Sequence, residues 1–222
     1  MAASNQELEV KFYLGDPSDQ ALGVLETRLQ ALDARLSQPR LHEVNLRFDT
    51  PGGDLARSYQ VLRLRQDRQA YMTYKGPGTL QGEIKVRKEL EVIVSDFATS
   101  QALLEALGYV VSLMYEKYRT VYALKLTALP TAHSPLPIDG KEVLVTLDEM
   151  PFGCFVEIEG PDSATIRAAA DRLYLPWEAR ILESYVLLFE HARARLGFTF
   201  RDLSFANFSG LKVSAEDLGV QK

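Results

Sequence analysis

Charged and apolar residues alternate along most of the extended segments of this sequence, and this pattern limits the folds open to it. The run Glu7-Leu8-Glu9-Val10-Lys11 would place its charges on one face of a strand and its apolar side chains on the other. Glu157-Ile158-Glu159 repeats the pattern far downstream. A solvated polar face would explain any one such strand. Because seven segments share the pattern, we expect their charges to share one environment.

The periodicity of the sequence predicts eight strands and four helices. The strands are predicted at 6–14, 43–50, 59–67, 70–76, 83–94, 114–127, 141–149 and 152–160, and the helices at 18–36, 97–107, 162–174 and 178–196. Ser18 is the expected N-cap of the first helix. Several connections have hairpin length, which is typical of an antiparallel sheet that closes. We therefore predict an α+β fold, an eight-stranded antiparallel closed β tunnel with helices packed outside.

The chain has 222 residues and shows no internal repeat or linker, so we expect one folded domain over residues 1–197. The last segment, 198–222, is too aromatic for a free tail, since it contains Phe198, Phe200, Phe205 and Phe208. We expect this extension to pack on the domain or on a second subunit, which leaves a homodimer open.

Closure of the sheet would bring the charged faces of the strands together in one lumen. The acids of this set are Glu7, Glu9, Glu83, Glu89, Glu91, Asp148, Glu157 and Glu159, and the bases are Lys11, Arg63, Arg65, Lys75, Lys85, Arg87, Lys117 and Arg119. The alternative places the charges outside and an aliphatic core inside. The leucine-rich helices need an apolar sheet face to pack on, and this requirement favours the charged lumen.

A ligand that needs both signs of charge explains such a lumen better than stability does, because buried ion pairs contribute little net stability. A polyphosphate with bound divalent cations fits, since Lys and Arg bind phosphate oxygens and carboxylates bind Mg²⁺ or Mn²⁺. Such hard cations need neither thiolate nor imidazole ligands, which agrees with the one cysteine and three histidines of the chain.

The bulk properties exclude several classes of partner. The net charge of −5 gives no general reason to expect nucleic acid or an anionic membrane as partner. No stretch of about 18 apolar residues predicts a membrane span, and no signal peptide is visible at the N-terminus. A single cysteine excludes an intrachain disulfide. We therefore expect a cytoplasmic protein with a small-molecule ligand.

These residues resemble the CYTH superfamily, also called triphosphate tunnel metalloenzymes, over about residues 5–190. The motifs that carry the resemblance are Glu7-x-Glu9-x-Lys11, Phe48-Asp49-Thr50-Pro51, Leu62-Arg63-Leu64-Arg65, Thr73-Tyr74-Lys75-Gly76-Pro77, Arg87-Lys88-Glu89, Glu116-Lys117-Tyr118-Arg119, Leu147-Asp148, Phe152-Gly153 and Glu157-Ile158-Glu159-Gly160. A lone Glu-x-Glu-x-Lys motif is weak, whereas the ordered set is specific. The resemblance implies the same eight-stranded tunnel that the alternation predicts.

The resemblance also implies roles for the lumen residues. The implied metal ligands are Glu7, Glu9, Glu157 and Glu159, supported by Asp148, and the implied triphosphate-binding residues are Lys11, Arg63, Arg65, Lys75, Arg87 and Arg119, joined by Lys85 and Lys117. Glu89 would orient these cations or a water, and Glu89, Lys75 and Arg63 are the predicted catalytic residues. Relatives often have a Lys shortly before the tyrosine that corresponds to Tyr185; Arg180 stands here, and its reach into the lumen is left open.

The expected activity is hydrolysis of a triphosphate that depends on Mg²⁺ or Mn²⁺, with two ions bound. We favour inorganic tripolyphosphate as substrate. A class IV-type adenylyl cyclase and a thiamine triphosphatase are alternatives, and a non-catalytic module that binds polyphosphate or nucleotide is an alternative of another class. Thiamine triphosphatases of vertebrates have a Trp just before the double-Arg strand, where Tyr59-Gln60-Val61 stands here. We expect Trp177 to be a packing residue.

Overall fold

The structure, a computed structural model, describes residues 6–16, 20–81, 84–126 and 140–221, without the side chains of residues 6–7 and 80–85. The strands are β1 (Gln6–Gly15), β2 (Arg35–Asp49), β3 (Val61–Gln66), β4 (Ala70–Gln81), β5 (Ile84–Val94), β6 (Val110–Lys125), β7 (Glu142–Met150) and β8 (Gly153–Glu159). The helices are α1 (Ala21–Ala31), α2 (Asp54–Arg57), α3 (Phe97–Ala106), α4 (Ser163–Arg172), α5 (Tyr185–Leu196) and α6 (Ala215–Leu218), with a 3₁₀ turn at Trp177–Ala179.

All eight strands pair in one antiparallel sheet that closes in the order β1-β5-β4-β3-β2-β6-β7-β8. The first and last strands of the chain meet, so Lys11 lies opposite Glu157 in the β1–β8 register. Closure turns one face of every strand inward. The predicted α+β fold with an eight-stranded antiparallel tunnel is thus confirmed.

The apolar faces of the strands point outward and form the core with the helices. Phe12 on β1 and Ile158 on β8 pack in one cluster with Leu29 of α1 and Ile166 of α4. A second cluster, beneath α3, joins Leu64 of β3 to Leu104 of that helix. Each fully buried aliphatic or aromatic side chain contributes about 1.5–3 kcal/mol. The helices therefore cover the outside of the sheet, and the charged face is left to the lumen.

The segment after α5 contacts both the sheet and the helix. The backbone N–H of Leu203 donates to the Met114 carbonyl at 2.9 Å, and the N–H of Glu116 donates to the Leu203 carbonyl at 3.1 Å. The rings of Phe198 and Phe208 pack against Phe189 of α5, with centroid distances of 5.5 and 6.0 Å. This segment thus extends the sheet along part of β6 and closes a hydrophobic cluster around α5.

Two predicted helices were too long. The predicted helix at 18–36 is α1, which ends at Ala31, and Asp33 follows with a positive φ of 55° that is incompatible with a continuing helix. Arg35 already pairs with β6. Strand pairing therefore determines the conformation here, although Leu36 continues the helical spacing of the leucines. The predicted N-cap, Ser18, lies outside the described residues.

The predicted helix at 178–196 begins at Tyr185. Before it, Ile181 forms a bridge with β1, and its N–H donates to the Lys11 carbonyl at 2.7 Å. The short helices α2 and α6 have four residues each, too few to show a periodicity in the sequence. In the described parts of the chain, no helix combines the length and apolar content needed to cross a membrane.

Candidate functional site in the lumen

The lumen contains a cavity of about 480 Å³ whose wall is dominated by charged side chains. The lining residues are Glu9, Lys11, Arg47, Val61, Arg63, Arg65, Lys75, Arg87, Glu89, Glu91, Tyr115, Lys117, Arg119, Leu144, Glu157, Glu159, Ser184, Tyr185 and Val186. Twelve of the residues that the alternation placed in a common lumen belong to this wall: Glu9, Lys11, Arg63, Arg65, Lys75, Arg87, Glu89, Glu91, Lys117, Arg119, Glu157 and Glu159.

The wall formed by β1 and β8 contains the acidic side chains of the two Glu-x-Glu runs. Glu9 lies opposite Glu159 in the register of these strands. Glu157 is bound by two cations, since Lys11 Nζ lies 3.0 Å from its Oε1 and Arg119 Nη2 lies 2.6 Å from its Oε2. Burial would raise the pKa of Glu157, but the charges of Lys11 and Arg119 outweigh it and hold that pKa well below its ordinary value.

Asp148 is fully buried beneath the wall formed by β1 and β8. Its carboxylate orients the cations of that wall. Arg119 donates to both of its carboxylate oxygens at 2.7 and 2.5 Å, Lys117 donates at 3.0 Å, and the hydroxyl of Tyr185 donates at 2.9 Å. Burial, together with the charges of Asp148 and Glu157, raises the pKa of Tyr185 well above its ordinary value, so the phenol stays a donor. The geometry gives Asp148 the role of holding Lys117 and Arg119.

The wall formed by β3, β4 and β5 contains mainly cations. Lys75 Nζ lies 2.8 Å from Glu89 Oε2, across the β4–β5 register. Arg63 donates to the Thr73 hydroxyl at 3.2 Å and to the Tyr115 hydroxyl at 3.5 Å. The three predicted catalytic residues, Glu89, Lys75 and Arg63, are therefore brought to the same side of the cavity.

Strand β2 contributes three lumen residues that the sequence analysis missed: Glu43, Asn45 and Arg47. Glu43 is fully buried, and its oxygens lie 3.7 Å from Lys117 Nζ and from Arg65 Nη1. Burial would raise the pKa of Glu43, but Lys117, Arg119 and Arg65 lower it to about 2. The signal was present, because these residues alternate with Val44, Leu46 and Phe48 in the predicted strand at 43–50.

Polar atoms of Glu43 and Asn45 have no hydrogen-bond partner among the described residues, although both side chains are buried. The Nε atoms of Arg63 and Arg65 are likewise buried and have no hydrogen-bond partner among the described residues. Buried polar groups are nearly always bonded to protein, water or ligand. The described protein groups alone therefore do not supply hydrogen-bond partners for all buried polar atoms in this part of the lumen.

Some predicted residues lie elsewhere or cannot be placed. The side chains of Glu7 and Lys85 are outside the described set; their backbones pair with Arg87 and Glu9. Glu83 is also outside it. The Arg180 guanidinium packs 5.1 Å from the ring of Trp177 and is absent from the described cavity wall. Trp177 is buried in the core cluster of α1 and α4, as expected of a packing residue.

The donor set of the β1–β8 wall is suited to a hard divalent cation. Glu9 and Glu159 line the cavity and face each other, with Glu157 beside them. Within the described ranges, no group of three or more His, Cys, Asp or Glu side chains forms a metal cage. Mg²⁺ is commonly held by one or two carboxylates together with substrate phosphates and waters. The acidic pair fits an ion that arrives with its phosphate ligand.

Comparisons with known proteins agree with this architecture. The family model of the CYTH domain matches residues 5–173. A candidate adenylate cyclase from Vibrio parahaemolyticus is 18% identical, with 83% of this chain and 97% of that chain covered and a TM-score of 0.65. A protein from Pyrococcus horikoshii is 24% identical, with 81% and 97% covered and a TM-score of 0.59.

A third structure is that of a candidate adenylyl cyclase from Hippeastrum with a dominant triphosphatase activity. It is 19% identical, with 87% of this chain and 97% of that chain covered and a TM-score of 0.54. No curated protein matches the chain. At these identities the solved structures share the fold, and the family model covers most of the chain. The tunnel, its charged lumen and the match over residues 5–173 make the chain a member of the CYTH domain family.

Proposed function

We propose that the chain is a divalent-metal-dependent triphosphatase that hydrolyses inorganic tripolyphosphate to diphosphate and orthophosphate. One observation carries the proposal: a single closed lumen sets the acidic pair Glu9 and Glu159 on one wall and a group of Arg and Lys side chains on the others. In the reaction, one P–O–P bond breaks, and water supplies the oxygen that the released phosphate gains.

The cations of the lumen are suited to a linear triphosphate. Arg63 and Arg65 on β3, with Lys75 on β4, project into the cavity from neighbouring strands. Guanidinium groups bind phosphate oxygens through two parallel hydrogen bonds. Phosphoryl transfer disperses charge over the equatorial oxygens of the transferred group, so fixed cations around it stabilise the transition state.

The acidic wall is suited to the metal. Glu9 and Glu159, with Glu157, would hold Mg²⁺ or Mn²⁺, and two ions fit the proposal. When bound, the metal would neutralise phosphate charge and lower the pKa of a bound water. The remaining residues position the anion: Glu89 orients Lys75, and Asp148 orients Arg119.

Ion pairs of the free lumen would exchange partners on binding. Lys11 and Arg119 both contact Glu157 in the free protein. A phosphate can replace the carboxylate at the two cations, while a metal can replace the cations at the carboxylate. The positive charge of the metal then offsets much of the negative charge that the phosphate brings, which limits the electrostatic cost of filling a buried cavity.

The described wall favours an inorganic substrate over one with an organic base. Its apolar residues are only Val61, Leu144 and Val186. The hydroxyl groups of its aromatic residues, Tyr115 and Tyr185, are engaged by Arg63 and Asp148. A nucleotide or thiamine would gain from an aromatic stacking surface, and the described lining offers no exposed one.

The test is a side-by-side assay of purified protein with tripolyphosphate, ATP and thiamine triphosphate, with and without Mg²⁺ or Mn²⁺. Phosphate and cyclic AMP are detected separately. We expect metal-dependent phosphate release that is fastest with tripolyphosphate. Cyclic AMP as the main product would establish the cyclase instead, and binding without turnover would establish a non-catalytic module.

The acidic pair provides the matched variants. Glu9→Gln/Glu159→Gln should lose most metal-dependent phosphate release, because two of the three proposed carboxylate ligands become neutral amides. Glu142→Gln, on an exposed end of β7, is the control and should keep full activity. Wild-type rates in the double variant would remove the acidic pair from the proposed mechanism.

A further inference from the structure

One edge of strand β6 lacks a partner from the tunnel over its first half. Strand β2 pairs with β6 from Val110 to Ala123, whereas β7 pairs with β6 only from Tyr118 to Lys125. Within the described chain, no strand of the tunnel therefore covers the β7 edge of residues 110–117. An open strand edge leaves backbone donors and acceptors without partners. The tunnel wall needs another segment at this place.

The C-terminal extension, residues 198–222, supplies that segment. The N–H of Leu203 donates to the Met114 carbonyl at 2.9 Å, and the N–H of Glu116 donates to the Leu203 carbonyl at 3.1 Å. The N–H of Met114 donates to the carboxylate of Asp202 at 3.0 Å. The extension thus binds three backbone groups on the open edge of β6 and takes the place of a neighbouring strand.

Tyr115 lies between the two β6 residues that the extension binds, and its side chain lines the cavity. Its hydroxyl accepts a hydrogen bond from Arg63 at 3.5 Å. Burial would raise the pKa of Tyr115, but the charges of Arg63 and Lys117 outweigh it and lower that pKa. The bond to Arg63 is already long, so a small displacement of β6 would break it.

Arg63 has few other contacts that fix its guanidinium in the described part of the chain. It donates to the Thr73 hydroxyl at 3.2 Å and lies 3.7 Å from Glu91, while its Nε has no hydrogen-bond partner there. A group that acts on a reacting phosphate must be held within about 0.5 Å of its productive position. A displacement of about 1 Å can cost on the order of 10²-fold in rate. The contact with Tyr115 is therefore one on which turnover depends.

We infer that the C-terminal extension is a positioning element of the lumen: it fixes β6, and through Tyr115 it fixes the guanidinium of Arg63. The inference rests on the proposed function for the role of Arg63 in turnover, whereas the position of Arg63 is measurable without turnover. The extension lies beyond residues 5–173, which the family model matches. The tunnel of this chain thus includes a wall segment that the matched domain does not contain.

The test removes one bond between the extension and β6 and compares it with a matched bond elsewhere in the extension. Asp202→Ala removes the acceptor of the Met114 N–H. Asp217→Ala is the control, because Asp217 accepts the backbone N–H of Ser214 at 2.9 Å in the cap of α6, which packs on α5. Both carboxylates are partly exposed and pair with an arginine. A difference in rate between the two variants therefore isolates the effect on the lumen.

For Asp202→Ala we expect kcat for tripolyphosphate to fall roughly 10-fold, less than a displacement of about 1 Å can cost. Asp202→Asn keeps an oxygen acceptor and should recover most of this loss. Asp217→Ala should keep the wild-type kcat. In a Tyr115→Phe background, Asp202→Ala should cause little further loss, because the hydroxyl through which the extension acts is absent. Losses that multiply, or equal kcat values for Asp202→Ala and Asp217→Ala, would overturn the inference.

The position of Arg63 can also be followed without a substrate. Its Nε–H gives an NMR signal in isotope-labelled protein, which is assigned as the signal that Arg63→Lys removes. We expect this signal to shift in Asp202→Ala and to stay unchanged in Asp217→Ala. If the wild type hydrolyses no triphosphate, the proposed function fails, and the NMR signal still decides the inference. An unchanged Arg63 signal in Asp202→Ala would then overturn it.

Discussion

Buried carboxylates hold the cations of the lumen in place, and Glu43 is the residue at which this is easiest to measure. Its pKa is lowered from 4.5 to about 2 by Lys117, Arg119 and Arg65, against the opposing effect of burial. A depressed pKa means that the folded state favours the ionised form. The resulting stability, about 3 kcal/mol, is present above pH 4.5 and is lost as the pH falls towards 2.

Glu43→Gln should therefore lower the free energy of unfolding by about 3 kcal/mol at pH 6. The difference from wild type should shrink to less than about half by pH 3, because the unfolded chain, in which the pKa of Glu43 is 4.5, then binds a proton that the folded protein, with a pKa of about 2, does not. Urea unfolding at a series of pH values measures this. Glu142→Gln serves as control, and a difference for Glu43→Gln that does not vary with pH would contradict the argument.

Tyr185 tests whether Asp148 depends on its hydrogen-bond donors. Tyr185→Phe removes one donor from a fully buried carboxylate and keeps the ring, which lies 4.4 Å from Lys11 Nζ. We expect a loss of about 1–3 kcal/mol in the free energy of unfolding. Tyr59→Phe, with a largely exposed side chain, should change it little. A Tyr185→Phe variant as stable as wild type would show that Lys117 and Arg119 suffice to hold Asp148.

The alternation of charge identified most of the lumen wall, but it could not assign every role. Parity along a strand tells which side chains share a face, so Lys75, Glu89 and Arg119 were placed correctly. It does not tell which acid faces an open cavity and which lies beneath a cation. Asp148 resembled a metal ligand in sequence, yet in the structure its oxygens are bound by Lys117, Arg119 and Tyr185.

At the scale of elements, local spacing failed where long-range pairing decides the conformation. The leucine spacing over 18–36 is helical throughout, but residues from Arg35 onward pair with β6 over a distance of many residues in sequence. One amino-acid sequence does not show which distant strand will pair with this segment. The positive φ of Asp33 gives no distinct sequence signal either, since Asp adopts this left-handed conformation only occasionally.

The segment after α5 allows a direct test at this scale. Leu203 is fully buried and forms backbone hydrogen bonds with β6 on both sides of Tyr115. Leu203→Ala should lower the free energy of unfolding by about 2–5 kcal/mol through loss of buried surface and the cavity left behind. Chemical denaturation measures this loss. Leu196→Ala, at a partly exposed position at the end of α5, is the control. Equal small effects would show that the segment contributes little to the fold.

At the scale of the whole molecule, closure of the sheet is what converts seven ordinary amphipathic strands into a binding site. An open sheet would expose these charges to water, where each ion pair contributes at most about 1 kcal/mol. In the closed sheet, Lys11, Glu157 and Arg119 face one another across a confined space. The hairpin-length connections and shared parity predicted this closure, because few other arrangements bury the apolar face of every strand.

The acidic pair lies on the wall formed by β1 and β8, whereas most cations lie on the other walls. This separation predicts that removal of the metal stops the turnover of tripolyphosphate but not its binding. Lys75, Lys117 and Arg119 do not depend on a metal for their positions, since Glu89 holds the first, Glu43 and Asp148 hold the second, and Asp148 holds the third. In EDTA, tripolyphosphate should therefore still raise the melting temperature, by the equivalent of about 2.7 kcal/mol at a concentration hundredfold above its Kd. Phosphate release should stop and should return when Mg²⁺ or Mn²⁺ is added.

Glu9→Gln/Glu159→Gln should retain the stabilisation by tripolyphosphate but recover little activity on addition of metal, because only the acidic wall has been changed. Arg63→Gln should show the opposite order of effects, with weaker stabilisation by tripolyphosphate and kcat lower by roughly 10²–10³-fold, as for loss of one fixed electrostatic contact. Thermal melts and phosphate assays on the same preparations measure both quantities. Turnover in EDTA at the wild-type rate would exclude a metal from the reaction. The carboxylates of β1 and β8 would then serve to hold the cations of the lumen.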